Sequence, residues 1–307
     1  MTPSTPQETA LLPATLHDDM QAFKELTTRP QVAWPTMALF FSALAIYIGS
    51  TFMGVTSGWP AWATVCLNAL SAYWMFTVAH DASHNSLSLH RWLNDGVARM
   101  AVSTLLPLPM FRMFRYIHMQ HHRFSNEADD PDHWVGSGSP WTTPLRCALM
   151  DVHYMVWYAS RLSSRPKDEV RDTVLSALGG VAVLAWLFSQ GWAHEVLMYW
   201  LLPSRLAIFF LALAFDYWPH SPYKATDAEN KYMATSVRAG MEWLLTPLLL
   251  SQNYHLVHHL YPLVPFYRYV RVWRARERFH LSQSPLLMSP RFREITTADY
   301  LARRGLG

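Results

Sequence analysis

From position 30 to position 80 the chain carries no Asp, Glu, Lys or Arg. A window that long without charge belongs either in lipid or in an unusually large core. It holds two apolar stretches, 33–51 and 60–79, parted by the turn-like Gly54-Val55-Thr56-Ser57-Gly58. Each is about 20 residues long, which at about 1.5 Å per residue crosses a hydrocarbon core of about 30 Å. A second charge-poor region, 173–194 and then 196–215, is broken by Glu195 and, mid-span, by Arg205, with Gly191-Trp192 marking its turn. The pattern predicts four transmembrane helices in two hairpins. Only 15% of the 307 residues are charged and 51% are hydrophobic, against about 25% charged in an ordinary soluble domain. A soluble helical protein with two buried hairpins is the competing reading.

None of the 25 Lys and Arg residues falls in either predicted hairpin turn. They gather in the N-terminal arm (Lys24, Arg29), the middle (Arg161, Arg165, Lys167, Arg171) and the C-terminal tail. Under the positive-inside rule both termini and the middle segment of this multi-pass chain face the cytoplasm. The net charge of +3 adds nothing to this. The polar start of the chain (Glu8, Asp18, Asp19) lacks the basic region and short apolar core of a cleaved signal, so the first span is expected to serve as the insertion signal. Cys66 and Cys147 stand alone, which predicts neither a disulfide nor a cysteine metal motif.

With no repeat or long linker, the expected plan is an N-terminal arm (1–30), one membrane domain (31–265) and a basic amphipathic tail (266–307). Residues 100–111, uncharged but for Arg99 just before them, contain Pro107 and Pro109 and are too short to span, which predicts a buried or re-entrant piece. Residues 147–160 are aromatic and half polar, suited to a helix at the membrane interface. The tail from 267 to 279 alternates Arg with Tyr, Val, Trp and Phe and reads as a membrane-surface helix.

Most of the 15 histidines are clustered. His80-Asp81-Ala82-Ser83-His84 sets two imidazoles four apart, and His118-Met119-Gln120-His121-His122 and His255-Leu256-Val257-His258-His259 each set three at offsets 0, 3 and 4. Residues three or four apart share one helix face, and neutral imidazole suits iron, copper and zinc. Each cluster follows an apolar run, so all three are expected at one depth near the cytoplasmic face. A fourth element, Phe215-Asp216-Tyr217-Trp218-Pro219-His220, ends the last span, with Asp216 and His220 again four apart. One histidine pair is more often a surface pair than a ligand set; two triads and a pair at one face make coincidence improbable. Asp81, Asn126, Asp129, Asp130, Asp132 and Asn253 are the nearby groups able to accept the second ring N–H of a bound histidine, although Asp130-Pro131-Asp132 also suits an ordinary turn. His17, His90, His133, His153, His194 and His280 lack a cluster partner.

The ordered set HDASH, HMQHH with downstream Asn126 and Asp129-Asp130-Pro131-Asp132, FDYWPH and NYHLVHHLYP resembles the membrane fatty acid desaturase superfamily, and within it the bacterial β-carotene hydroxylase and ketolase branch. The likeness runs from about His80 to Tyr267. It implies an all-α integral membrane fold whose cytoplasmic helical cap carries a histidine-rich di-iron site. By the same resemblance two iron ions are bound by His80, His84, His118, His121, His122, His255, His258 and His259, with His220 as a ninth ligand and O2 as co-substrate. Where relatives often carry Asn four residues before that last histidine, this chain has Asp216; a ligand, a water-holder and a hydrogen-bond acceptor are all open to it.

The activity implied is oxidation of an unactivated C–H bond in a lipid-soluble substrate, a fatty acyl chain or a carotenoid. Desaturation, hydroxylation and terminal-alkene formation are not separated by ligand spacing. There is no iron–sulfur cysteine set, nucleotide-binding glycine motif or fused haem domain, so electrons come from a ferredoxin-type or similar donor, for which Arg268, Arg271, Arg274, Arg276 and Arg278 offer a basic surface; anionic lipid explains the same arginines. No nucleic-acid partner is expected. A membrane metal-handling protein would spread ionisable groups along several spans, and a haem protein would pair histidines within spans; both remain as alternatives.

Overall fold

The computed structural model describes residues 12–13 and 16–306, so the N-terminal arm at 1–11 and 14–15 lies outside the described residues. A short helix, α1 (Met20–Thr27), precedes four helices long and apolar enough to cross a membrane: α2 (Trp34–Thr56), α3 (Ala61–Ser83), then, after two intervening helices α4 (Arg91–Leu105) and α5 (Phe111–Phe124) and the pair α6 (Thr143–Ala148) and α7 (Met150–Ala159), α8 (Lys167–Ser189) and α9 (Ala193–His220). The four spans fall where the uncharged windows predict them, but run longer. α3 continues four residues past the apolar window because the first histidine cluster is itself helical. α8 starts early because Pro166 precedes a first turn carrying Asp168 and Glu169, acids that complement the positive helix start.

The chain folds as two compact units, residues 29–218 and residues 1–28 with 219–307. In the first, α3 is the hub, packed against α2, α4 and α9. The α2–α3 approach is close at Gly54, where a Cβ would stand 2.7 Å from Thr64 Oγ1. Asn68, fully buried, ties three helices together: its Nδ2 donates to Thr51 Oγ1 (2.9 Å) and to Tyr199 O (2.7 Å), and its Oδ1 accepts from Ser50 Oγ. Polar side chains of this kind hold helices together where lipid supplies no hydrophobic drive. α8 and α9 join at a turn through Gly191 (φ 83°) and then part, α8 packing on α5 and α9 on α3.

The stretch 100–111 is the end of α4 and a loop into α5, so it is not a separate re-entrant element; Pro107 and Pro109 stop the helix. A Cβ on Gly180 would fall 2.0 Å from Pro107 O, so α8 lies directly on that loop. Arg205, mid-span in α9, pairs with Asp151 of α7 through both oxygens (2.8 and 2.5 Å).

The second unit adds a two-stranded parallel pair to the all-helical expectation, β1 (Ser236–Arg238) with β2 (Leu286–Met288), in register Ser236↔Leu286. Its helices after β1 are α10 (Glu242–Leu248), α11 (His255–Leu260), α12 (Tyr269–Ala275), α13 (Glu277–Ser282) and α14 (Thr297–Arg303). The expected surface helix in the tail is instead two short helices broken at Arg276, and its apolar face is core: Tyr269, Val272 and Trp273 are fully buried. Trp273 Nε1–H donates to Tyr300 Oη (2.8 Å), whose hydroxyl donates to the buried Glu277 carboxylate. His280 stacks on Trp273 at 4.9 Å, its ring held below the usual imidazole value, at about 3, by burial and by Arg276. Three of the five tail arginines work inside this unit. Arg268 donates to Leu26 O and Thr28 O, Arg278 to Pro13 O and Leu16 O, and Arg276 stacks on Phe279 at 3.7 Å.

Candidate metal centre

The end of α3 and the last two turns of α5 bring five histidines of the first unit together. His80 lies in the final turn of α3, and His84 caps it. His118, His121 and His122 follow the three- and four-residue spacing of one helix face in α5. Ring nitrogens of His80, His84 and His118 all lie within 4.8 Å of one another, and Nε2 of His84 is 2.7 Å from Nε2 of His118. The His122 ring is 4.6 Å from His84 and 4.8 Å from His118, centre to centre. Two imidazole nitrogens on one metal ion at about 2.1 Å and a right angle lie about 3 Å apart, so this spacing fits a shared cation. His80, His84, His118 and His121 are buried. His84 and His118 are held well below the usual imidazole value, by burial first and by neighbouring rings second, and stand neutral with a lone pair to offer.

The loop after α5 turns back to buttress these rings. Asn126 adopts a left-handed φ of 67°, and its N–H donates to Asp130 Oδ2 (2.8 Å); Asp132 N–H donates to Asp130 Oδ1 (2.9 Å). The carboxylate so fixed lies 2.9 Å from Nδ1 of His121, with Asp132 at 3.3 Å. Since a carboxylate accepts, Nδ1–H donates and Nε2 is the ring nitrogen that would meet a metal. Burial opposes charge on His121, but Asp132 and Asp130 outweigh it and raise the ring to about 10. Burial also pushes Asp132 up to about 6, against the pull of His121. Tyr154 Oη–H of α7 donates to Asp132 at 2.6 Å. Asp216 is buried in a π-helical stretch of α9, Ala212–Tyr217. Widened turns of this type recur at functional sites.

In the second unit His220, His255 and His259 bring their ring nitrogens within 4.8 Å of one another. Nε2 of His255 stands 3.3 Å from that of His220 and 3.1 Å from that of His259. His258, fully buried, packs its ring 5.2 Å from that of His255. α11 starts at His255 after a turn in which Leu250 (φ 47°) and Ser251 (φ 67°) are left-handed. That turn delivers Gln252, whose Oε1 accepts from His255 Nδ1 at 2.5 Å, and Tyr269 Oη meets His258 Nδ1 at 3.0 Å. Both histidine clusters are able to bind a metal ion.

Three of the acceptors expected from sequence stand differently. Asp129 faces outward and pairs with Arg161 at 3.3 Å, because the Asp130 carboxylate takes the inward turn position. Asn253 donates to Thr246 Oγ1 (3.1 Å), and the adjacent Gln252 meets the histidine instead. Asp81 accepts from Thr36 Oγ1 at 2.8 Å and is 3.9 Å from His80 Nδ1, beyond hydrogen-bond reach. Gln252 and Tyr269 went unread in the sequence. Gln252 lies three residues before a histidine and was a findable signal; Tyr269 comes from a separate helix and was not.

An apolar cavity of about 80 Å³ abuts the first cluster. Its walls include Phe76 of α3, Phe114 of α5, Val102 of α4 and Leu211 and Asp216 of α9. Phe114 stacks parallel on His118 at 5.9 Å, and Phe76 lies 6.2 Å from His80, so the same rings line the cavity and contact the histidines.

Comparison with known proteins bears on this arrangement. The fatty acid desaturase family profile matches residues 57–289, a range holding all nine clustered histidines. The chain is 24% identical to an sn-1 oleoyl-lipid 12-desaturase of Picosynechococcus sp. over 78% of its own length and 74% of the relative's. It is 25% identical to an sn-1 acyl-lipid omega-3 desaturase (ferredoxin) of Nostoc sp., covering 93% and 88%, and 25% identical to a beta-carotene ketolase of Paracoccus sp. strain PC1, covering 79% and 92%. With the family profile matched over most of its length and its histidine clusters assembled, the chain belongs to the membrane fatty acid desaturase family.

Proposed function

We propose that this protein is a multi-pass membrane oxidoreductase that oxidises an unactivated C–H bond of a lipid, with two iron ions held by His80, His84, His118, His121, His122, His220, His255, His258 and His259. One observation carries the reading: histidine nitrogens meet at cis-ligand distances in both units, each cluster braced on the far ring nitrogen by an acceptor from its own unit. The donor set, all imidazole and mostly buried, fits iron, and the paired acids Asp130 and Asp132 fit the proton that a bound His121 must lose. Bound there, the metals would supply activation of O2 for hydrogen removal.

The chain's own part is to hold, align and keep dry. Asp130 orients His121, Gln252 orients His255, and Tyr269 orients His258. The cavity beside His80 and His118 presents almost wholly apolar side chains, which favours a hydrocarbon segment over a polar metabolite. A fatty acyl chain and a carotenoid both meet that requirement, and desaturation, hydroxylation and terminal-alkene formation are the outcomes to separate. Electrons come from a separate donor of the ferredoxin kind, in keeping with the name of one relative. The metal site and both termini face the cytoplasm of a bacterial inner membrane, in line with the Lys and Arg distribution.

Metal analysis of the purified protein tests the reading. Iron without a haem absorption band supports it, and zinc or haem in its place overturns it. Expression in a carotene-producing host and in a host rich in fatty acids, followed by lipid mass spectrometry, identifies the product.

A further inference from the structure

α7 is ten residues long, too short to span, yet it lies beside the middle of a span. Its Asp151 holds Arg205 by two hydrogen bonds, and Arg205 sits 12 residues after Ala193 and 13 before Trp218 in α9. At about 1.5 Å per residue that is about 18–20 Å from either point, deep in the hydrocarbon. An arginine there needs a partner at its own depth, so α7 is drawn below the membrane surface.

The two faces of this segment differ. Leu145, Leu149, Val152 and Val156, at spacings of four, three and four, form one exposed apolar stripe down α6 and α7; Leu145 is 63% and Val156 65% exposed. No charge interrupts it: Arg146 turns away to Trp134 O and Arg161 to Asp129. The opposite face, Met150, Asp151 and Tyr154, is wall of the apolar cavity beside the histidines. Leu106 and Leu108, in the loop on which α8 rests through Gly180, line another side of that cavity.

We infer that α6 and α7 form a membrane-embedded wall with lipid at its back, and that the substrate is a bilayer-dissolved lipid entering the cavity sideways past α7, not a thioester delivered on a water-soluble carrier. This rests on the oxidoreductase reading for what happens inside the cavity, but the wall and the route stand on the Arg205–Asp151 pair and the stripe.

Nitroxide labels on Val152→Cys and Val156→Cys, in a Cys66→Ser background that leaves the buried Cys147 in place, report the environment in phosphatidylcholine nanodiscs. Labels at Leu178 on α8 and at the outward-facing Asp129 serve as references. Both stripe labels should follow Leu178, relaxed several-fold more by O2 than by a water-soluble nickel chelate; chelate access equal to that at Asp129 overturns the embedded wall. In the same nanodiscs, phosphatidylcholine with a diazirine at its acyl end should leave adducts on Met150 or Tyr154 as well as on the stripe. Adducts confined to the stripe overturn the entry route. Neither readout depends on metal content, so each fails or succeeds separately from the di-iron reading.

Discussion

A histidine that binds a metal through Nε2 is only as well placed as the group on its Nδ1. Asp130 is held by two backbone N–H groups before it meets His121, so its carboxylate is fixed and not recruited. Replacing such a partner typically costs about 10–100-fold in metal affinity or activity. Asp130→Asn, Gln252→Ala and Tyr269→Phe should each fall in that range, measured by iron retention after dialysis against a chelator. Substituting Ala at His121, His220 or His258 should abolish turnover and lower bound iron, while His90→Ala should change neither; full iron and turnover in His220→Ala would remove that residue from the ligand set. The histidines could be read from sequence because their spacing is local and helical. The acceptors could be read only in part. Asp130 and Asp129 are adjacent, and which of them turns inward depends on the backbone after Asn126, which no periodicity reports.

At the scale of the helix, the spans were plain in the sequence because lipid excludes charge, and their ends were blurred because helices run on past the membrane. Partners between helices were hidden. Arg205 was visible as an anomaly, but Asp151 is 54 residues away and lies in a segment with no span signal of its own. Removing Arg205 leaves a carboxylate uncompensated at membrane depth, a cost of about 3 kcal/mol. Arg205→Gln and Asp151→Asn should each lower resistance to unfolding in mixed micelles, and the double variant should lose less than the two single losses combined. Asn68→Ala, which removes hydrogen bonds linking α2, α3 and α9, should cost about 1 kcal/mol in the same assay, in line with measured membrane hydrogen bonds. The tail is where the sequence misleads: its alternation of Arg with aromatics looks like a surface helix, yet the aromatics pack inward and Arg268 and Arg278 tie down the chain before α2.

For the whole molecule, four apolar helices, two histidine clusters and an apolar cavity agree with one task, the oxidation of a lipid. The family was legible from four short motifs, while the substrate was not, since an acyl chain and a carotenoid make the same demand on apolar walls. The chemistry rests on which metal the imidazoles hold. Elemental analysis of protein purified in mild detergent, with its absorption spectrum, decides this: about two irons per chain and no haem Soret band are expected from an all-imidazole set of this size, whereas stoichiometric zinc or a haem spectrum would contradict the account.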